Sequence, residues 1–267
     1  MSAKPSNGRT ALVTGASRGI GRGIAFSLAE SGYDLVITHL NEPEEADRAA
    51  SEIQTVHGRK CTVLQSDLSL PGAPDALADR AIRSAGRIHV LVNNAGVTML
   101  SKLVEMETEK LDYLINLNLR APLLMMKAIG RHMKDQGIRG NIVNIASTRG
   151  ERAYPLDAVY GATKAALLRA TQSVALELST HGIRANTIAP GAIQVREGIH
   201  ARNERLARNI PLQRMGTPDD IGKAVAWLVS DEASYMTGAT LRIDGGLILP
   251  GMPETGSAAD GGWGRVD

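Results

Sequence analysis

A doubly wound, Rossmann-type α/β fold, with seven mostly parallel strands and helices on both faces of the sheet, is what this sequence predicts. Three observations carry that expectation. Short runs rich in Val, Ile, Leu and Thr alternate with longer stretches of helical periodicity along most of the 267 residues. Gly32, Gly58, Gly86 and Gly182 stand where helical patterns stop, as C-terminal caps do. The segments richest in Gly, Asn and hydroxyl residues fall just after strands, at the edge where open parallel sheets bind ligands. Strands alternating with helices imply right-handed crossovers, and these cover a parallel sheet on both sides.

The elements follow in order. Residues 10–14 form the first expected strand, which runs through a glycine-rich turn into a helix over 20–31. Residues 34–38 and 60–65 are the second and third strands, each followed by an amphipathic helix, over 44–57 and 75–85. The fourth strand is expected over 88–93 and one long helix over 108–134. A strand at 141–145 and a helix at 158–181 come next, then a strand at 184–189. Thr217 reads as an N-cap, with Pro218 at the first helical position of a helix over 218–230, and the last strand is expected at 240–243. Neither a repeat nor an interdomain linker interrupts this series, so residues 1–267 read as one domain with its core at about 8–249. Residues 250–267 are rich in Gly, Ala and Pro, lack periodicity, and are expected to be a disordered tail.

Composition narrows the function classes. Hydrophobic residues make up 43% of the chain, enough for a large core. Thirty basic residues against 28 acidic ones leave a net charge of +2, which gives no broad electrostatic reason for a nucleic acid or membrane partner. A small molecule is the expected partner. The one cysteine, Cys61, sits in an expected strand and reads as a buried structural thiol. Residues 1–9 are short and polar, and no apolar run approaches the roughly 18 residues of a membrane span; a cytoplasmic protein is expected. No metal site is expected.

Chemistry concentrates at Tyr160 and Lys164, four residues apart on an expected helix, with Ser147 thirteen residues upstream of the tyrosine at the end of an apolar run. Positions i and i+4 share a helix face, so the ammonium can act on the phenol. A phenol with an ordinary pKa near 10 is a poor base at neutral pH, and a nearby positive charge stabilises its anion. On its own such a pair reads first as a solvated helix face. The turn Thr14-Gly15-Ala16-Ser17-Arg18-Gly19-Ile20-Gly21 adds a second element, because its glycines let backbone N–H groups and a helix start approach phosphates closely. Its spacing is Gly-x-x-x-Gly-x-Gly, not the general dinucleotide fingerprint Gly-x-Gly-x-x-Gly.

Together with Asn93-Asn94-Ala95-Gly96, Asn118 and Pro190-Gly191, these motifs occur in the order and spacing of the short-chain dehydrogenase/reductase family. The resemblance runs from about residue 10 to residue 246 and is nearest to bacterial 3-oxoacyl-carrier-protein reductases and glucose 1-dehydrogenase-like members. It implies hydride transfer between a nicotinamide cofactor and a carbonyl or secondary alcohol. Tyr160 is then the general acid in reduction and base in oxidation, Ser147 holds the substrate oxygen, Lys164 supports the tyrosine and the nicotinamide ribose, and Asn118 anchors a proton-relaying water.

For the cofactor, the resemblance implies contacts from Gly15, Ser17, Arg18, Gly19, Ile20 and Gly21 in the turn, and from Asn94, Ala95 and Gly96 beside the ribose. Pro190, Gly191 and Ile193 would wall the nicotinamide. Asp67 and Leu68 follow the third strand where the family binds adenine, although an aspartate starting a turn explains Asp67 equally. Asn93 and Asp244 read as structural. Val195 replaces a threonine common in the family and is left out of the site. An acidic residue at the end of the second strand would favour NAD; His39 stands there and Arg18 can face a 2′-phosphate, so NADP is expected, with NAD as the alternative.

Residues 192–211 are expected to form a lid carrying Arg196, His200, Arg202, Arg205 and Arg208, with Ile199, Leu206 and Ile210 beneath. Its basic face fits either an anionic substrate or simple solvation. A 3-oxoacyl thioester reductase is therefore the first reading, beside a sugar, polyol or hydroxy-acid dehydrogenase and a non-catalytic NADP(H)-binding regulatory protein. The resemblance also implies a homotetramer.

Overall fold

A computed structural model gives the fold and describes residues 8–195, 204 and 206–249. The elements are β1 (Thr10–Val13), α1 (Gly19–Glu30), β2 (Asp34–His39), α2 (Pro43–His57), β3 (Cys61–Gln65), α3 (Ala73–Ala85) and β4 (Val90–Asn93). They continue with α4 (Thr108–Ile115), α5 (Ala121–Asp135), β5 (Asn141–Ile145), α6 (Ala158–Ser179), β6 (Arg184–Pro190), α7 (Pro218–Leu228) and β7 (Thr240–Ile243). All seven strands lie in one sheet of order β3-β2-β1-β4-β5-β6-β7, and each neighbouring pair is parallel. The chain starts in the middle, winds outward to β3, returns beside β1 as β4 and then winds the other way. The reversal between β1 and β4 opens a crevice at the carboxyl ends of these strands.

Pleating sends successive side chains to opposite faces, so each strand feeds two cores. Ala11 and Val13 pack with Ile24 and Leu28 of α1, Ile53 of α2 and Val225 of α7. Leu12 faces the other way, toward Leu77 of α3, Met125 and Ile129 of α5 and Leu167 of α6. Every residue just named is at most 1% exposed, which explains why the strands read as continuous apolar runs.

Among the boundaries that differ from expectation, three involve proline. Helices α2 and α3 begin earlier than periodicity suggested because Pro43 and Pro74 occupy their first turns, where a missing N–H costs nothing. The long helix expected over 108–134 is two α-helices joined by a π-helical turn, Asn116–Arg120. Pro122 supplies the reason: it has no N–H for the carbonyl four residues back, and its ring would clash there in α geometry. At α7 the expected cap is complete, since Thr217 Oγ1 accepts the Asp220 N–H and the Asp220 carboxylate accepts the Thr217 N–H. Of the expected lid, Arg196, Ile199, His200, Arg202 and Arg205 lie outside the described residues, as does the tail over 250–267. Ile210 is buried as expected and Arg208 is exposed. No described helix is long and apolar enough to cross a membrane.

Candidate active site

A cleft of about 530 Å³ lies at the carboxyl edge of the sheet, over the reversal of strand order. Its floor is the turn between β1 and α1, tied to the strands on either side. Thr14 Oγ1 accepts the backbone N–H groups of Asn94 and Ala95, both at 3.0 Å. Asn94 Nδ2 donates to the carbonyls of Thr14 and Gly15, and the Gly15 N–H donates to Thr38 Oγ1 at 3.0 Å. The turn is therefore fixed to the ends of β4 and β2 at once.

Glycine is required where these segments meet. Gly15 has φ +63°, and a Cβ there would lie 3.0 Å from Ala95 Cα. A Cβ on Gly21 would strike the Gly15 carbonyl. Helix α1 starts at Gly19 without a side-chain cap, so its first N–H groups are left for a ligand. An uncapped helix start above a glycine-rich floor fits the phosphates of a dinucleotide.

At the other end, β5 and α6 deliver Ser147, Tyr160 and Lys164. Ser147 follows β5, and its Oγ accepts the Arg149 N–H at 3.2 Å. Tyr160 and Lys164 lie in the first two turns of α6, with Lys164 Nζ 5.7 Å from the centre of the Tyr160 ring. Lys164 is 5% exposed and its Nζ donates to the Ile145 carbonyl at 2.9 Å. Burial without a countercharge pulls its pKa down to about 8. Asn118 sits in the π-helical turn, fully buried; its Oδ1 accepts the Val97 N–H and its Nδ2 donates to the Val97 carbonyl. A Cβ on Gly96 would be 2.8 Å from Asn118 Oδ1 and 3.5 Å from Lys164 Nζ, so these three residues converge on one point.

All the cofactor-contact residues expected from the sequence line this cleft, as do Ser147, Tyr160 and Lys164; Asn118 stands directly behind Gly96. Asp67 both lines the cleft and holds a turn, since its Oδ1 accepts from the Ser69 N–H and hydroxyl. Asn93 is structural, its Nδ2 donating to Asn144 Oδ1 at 2.8 Å beneath the site. Asp244 is a turn residue whose carboxylate accepts the N–H groups of Gly246 and Ile248.

Four participants escaped the sequence reading. The hydroxyls of Thr14 and Thr38 hold the turn, and threonines at strand ends were the available signal. Val195, set aside on the sequence, lines the cleft within 3.4 Å of where a Gly19 Cβ would be. Glu42 also lines it, accepting from Ser17 Oγ and Arg18 Nε, both at 3.2 Å. Glu42 lies three positions beyond His39, the last residue of β2, and so outside the strand-end position that the sequence marks.

Residues 15–248 match the family model described as enoyl-(acyl carrier protein) reductase. Glucose 1-dehydrogenase 2 of Bacillus subtilis is 35% identical over 251 residues, covering 92% of this chain and 97% of that protein. The 3-oxoacyl-[acyl-carrier-protein] reductase of Synechocystis is 36% identical over 242 residues, 90% of this chain and 97% of its own. Among solved structures, a blue fluorescent protein from a metagenomic library, in complex with NADPH, superposes with a TM-score of 0.84 at 34% identity over 91% of this chain and 98% of that one. A phenol, a hydroxyl and a buried ammonium facing a phosphate-ready turn, with these likenesses over nearly the whole chain, give one conclusion: the protein is an oxidoreductase belonging to the short-chain dehydrogenase/reductase family.

Proposed function

We propose that the protein interconverts a carbonyl and a secondary alcohol with NADP(H), acting first as a reductase of 3-oxoacyl thioesters or similar ketones. The observation that carries this reading is the shared cleft, with Ser147, Tyr160 and Lys164 facing the glycine turn. A bound nicotinamide dinucleotide supplies the hydride. Tyr160 gives its hydroxyl proton to the carbonyl oxygen, and the Ser147 hydroxyl donates to the same oxygen and orients it. Lys164, with a pKa near 8, holds or passes a proton at working pH and replenishes the phenol, while Asn118 orders the path behind Gly96. Support for NADP comes from His39 in place of an acid and from Arg18 in the lining.

A second reading is a sugar or polyol dehydrogenase, favoured by the 35% identity to a protein named glucose 1-dehydrogenase 2. A panel of 3-oxoacyl thioesters, small ketones and sugars, followed by NADPH absorbance, separates the two. On whichever substrate turns over, Tyr160→Phe should lower kcat by roughly 10²–10⁴-fold and leave dinucleotide affinity nearly unchanged. Turnover that survives this substitution would refute the assignment.

A further inference from the structure

Glu42 gives the adenosine end of the cleft a feature that the residues around it do not explain. One carboxylate oxygen accepts from Ser17 Oγ and the other from Arg18 Nε, each at 3.2 Å. Both partners belong to the glycine turn, whereas Glu42 is the cap residue before α2, so the contact bridges two elements across the lining. His39, at the end of β2, is 6% exposed and offers no carboxylate to this end of the cleft. Asp67 is the other acid here, and its Oδ1 is occupied by Ser69. Glu42 is thus the carboxylate set directly against the arginine available to a 2′-phosphate.

We propose that Glu42 is a specificity-determining residue that restrains the preference for NADP over NAD. The inference rests on the function proposed above. A 2′-phosphate must take Arg18 away from Glu42 and then lie beside a negative carboxylate. An unphosphorylated ribose meets no such repulsion, and its hydroxyls find an acceptor in the same group. The pair can yield, because the Arg18 and Glu42 side chains are 48% and 33% exposed and an exposed ion pair contributes little stability. For the same reason, removing the charge should leave the fold intact.

The test is calorimetric titration of NADP⁺ and NAD⁺ into the unmodified chain, Glu42→Gln and Glu42→Ala, with thermal unfolding as the check on folding. Both variants should bind NADP⁺ more tightly and NAD⁺ more weakly, raising the ratio of the two dissociation constants about tenfold or more, equivalent to about 1.4 kcal/mol. A ratio that stays within about twofold in both folded variants, while the unmodified chain binds both dinucleotides, would overturn the role of Glu42 alone. Absence of binding by the unmodified chain would remove the underlying function and this inference together.

Discussion

Asp157 shows how much one buried charge can organise. Its side chain is 2% exposed and pairs with Arg149 Nη1 at 3.1 Å, while the Arg149 guanidinium lies over the Tyr154 ring at 4.5 Å. Arg149 belongs to the turn that begins at Ser147, and Asp157 is the residue before α6, three positions ahead of Tyr160. The pair therefore joins the two elements that carry the hydroxyl and the phenol. Its members are not equivalent, because Arg149 is 30% exposed and water reaches it if the partner is removed. Asp157 has no such escape. Arg149→Met should cost about 3 kcal/mol, an uncompensated buried carboxylate, and lower Tm by roughly 6–12 °C for a chain of this size. Asp157→Asn should cost clearly less. Thermal unfolding of the two variants checks the order, and a larger loss for Asp157→Asn would reject this account.

Between α4 and α5, one irregular turn positions Asn118. The π turn places Asn118 where its amide makes two hydrogen bonds with the Val97 backbone, joining the helix to the segment after β4. Asn118→Ala would leave the half-buried Val97 N–H and carbonyl without these partners, at about 1 kcal/mol each. The expected result is a lower urea midpoint together with faster hydrogen exchange at the Val97 amide; unchanged Val97 protection would show that the turn does not depend on this bridge. Asn118 was legible from its place among the motifs, but the π turn was not, because one inserted residue shifts the helical phase by only about a quarter turn and leaves the apolar pattern over 108–134 still readable as helix. Pro122 was the overlooked signal. The strands, the glycine turn and the Tyr160–Lys164 face were legible because each is encoded within a few neighbouring residues. Glu42 was not, since its contact with Arg18 spans 24 residues and depends on how α2 sits against the turn.

Across the whole molecule, the sheet separates chemistry at one edge from two neutral imidazoles at the other. His89 Nδ1 accepts the Thr10 N–H at 3.0 Å, and His132 Nε2 accepts the Ile88 N–H at 3.3 Å. These rings close the amino ends of β1 and β4, the central pair flanking the reversal in strand order. An imidazole that accepts a hydrogen bond must be unprotonated at that nitrogen. Burial lowers both pKa values from 6.5; Arg87 and Arg9 and the neighbouring His132 add to this at His89, and Arg87 adds to it at His132 while Asp135 opposes. Because the folded values lie below the unfolded ones, the unfolded chain takes up protons first as pH falls through about 6.5. Stability contributed by the neutral rings should be complete above that pH, decline below it, and level off for these groups once the folded pKa values are passed. His89→Asn and His132→Gln place an amide oxygen near the accepting nitrogen and do not titrate. Combined in one chain, they should reduce the drop in urea midpoint between about pH 7.5 and about pH 5.5 relative to the unmodified protein. An equally steep acid loss in the double variant would move the origin of the pH dependence away from this edge of the sheet.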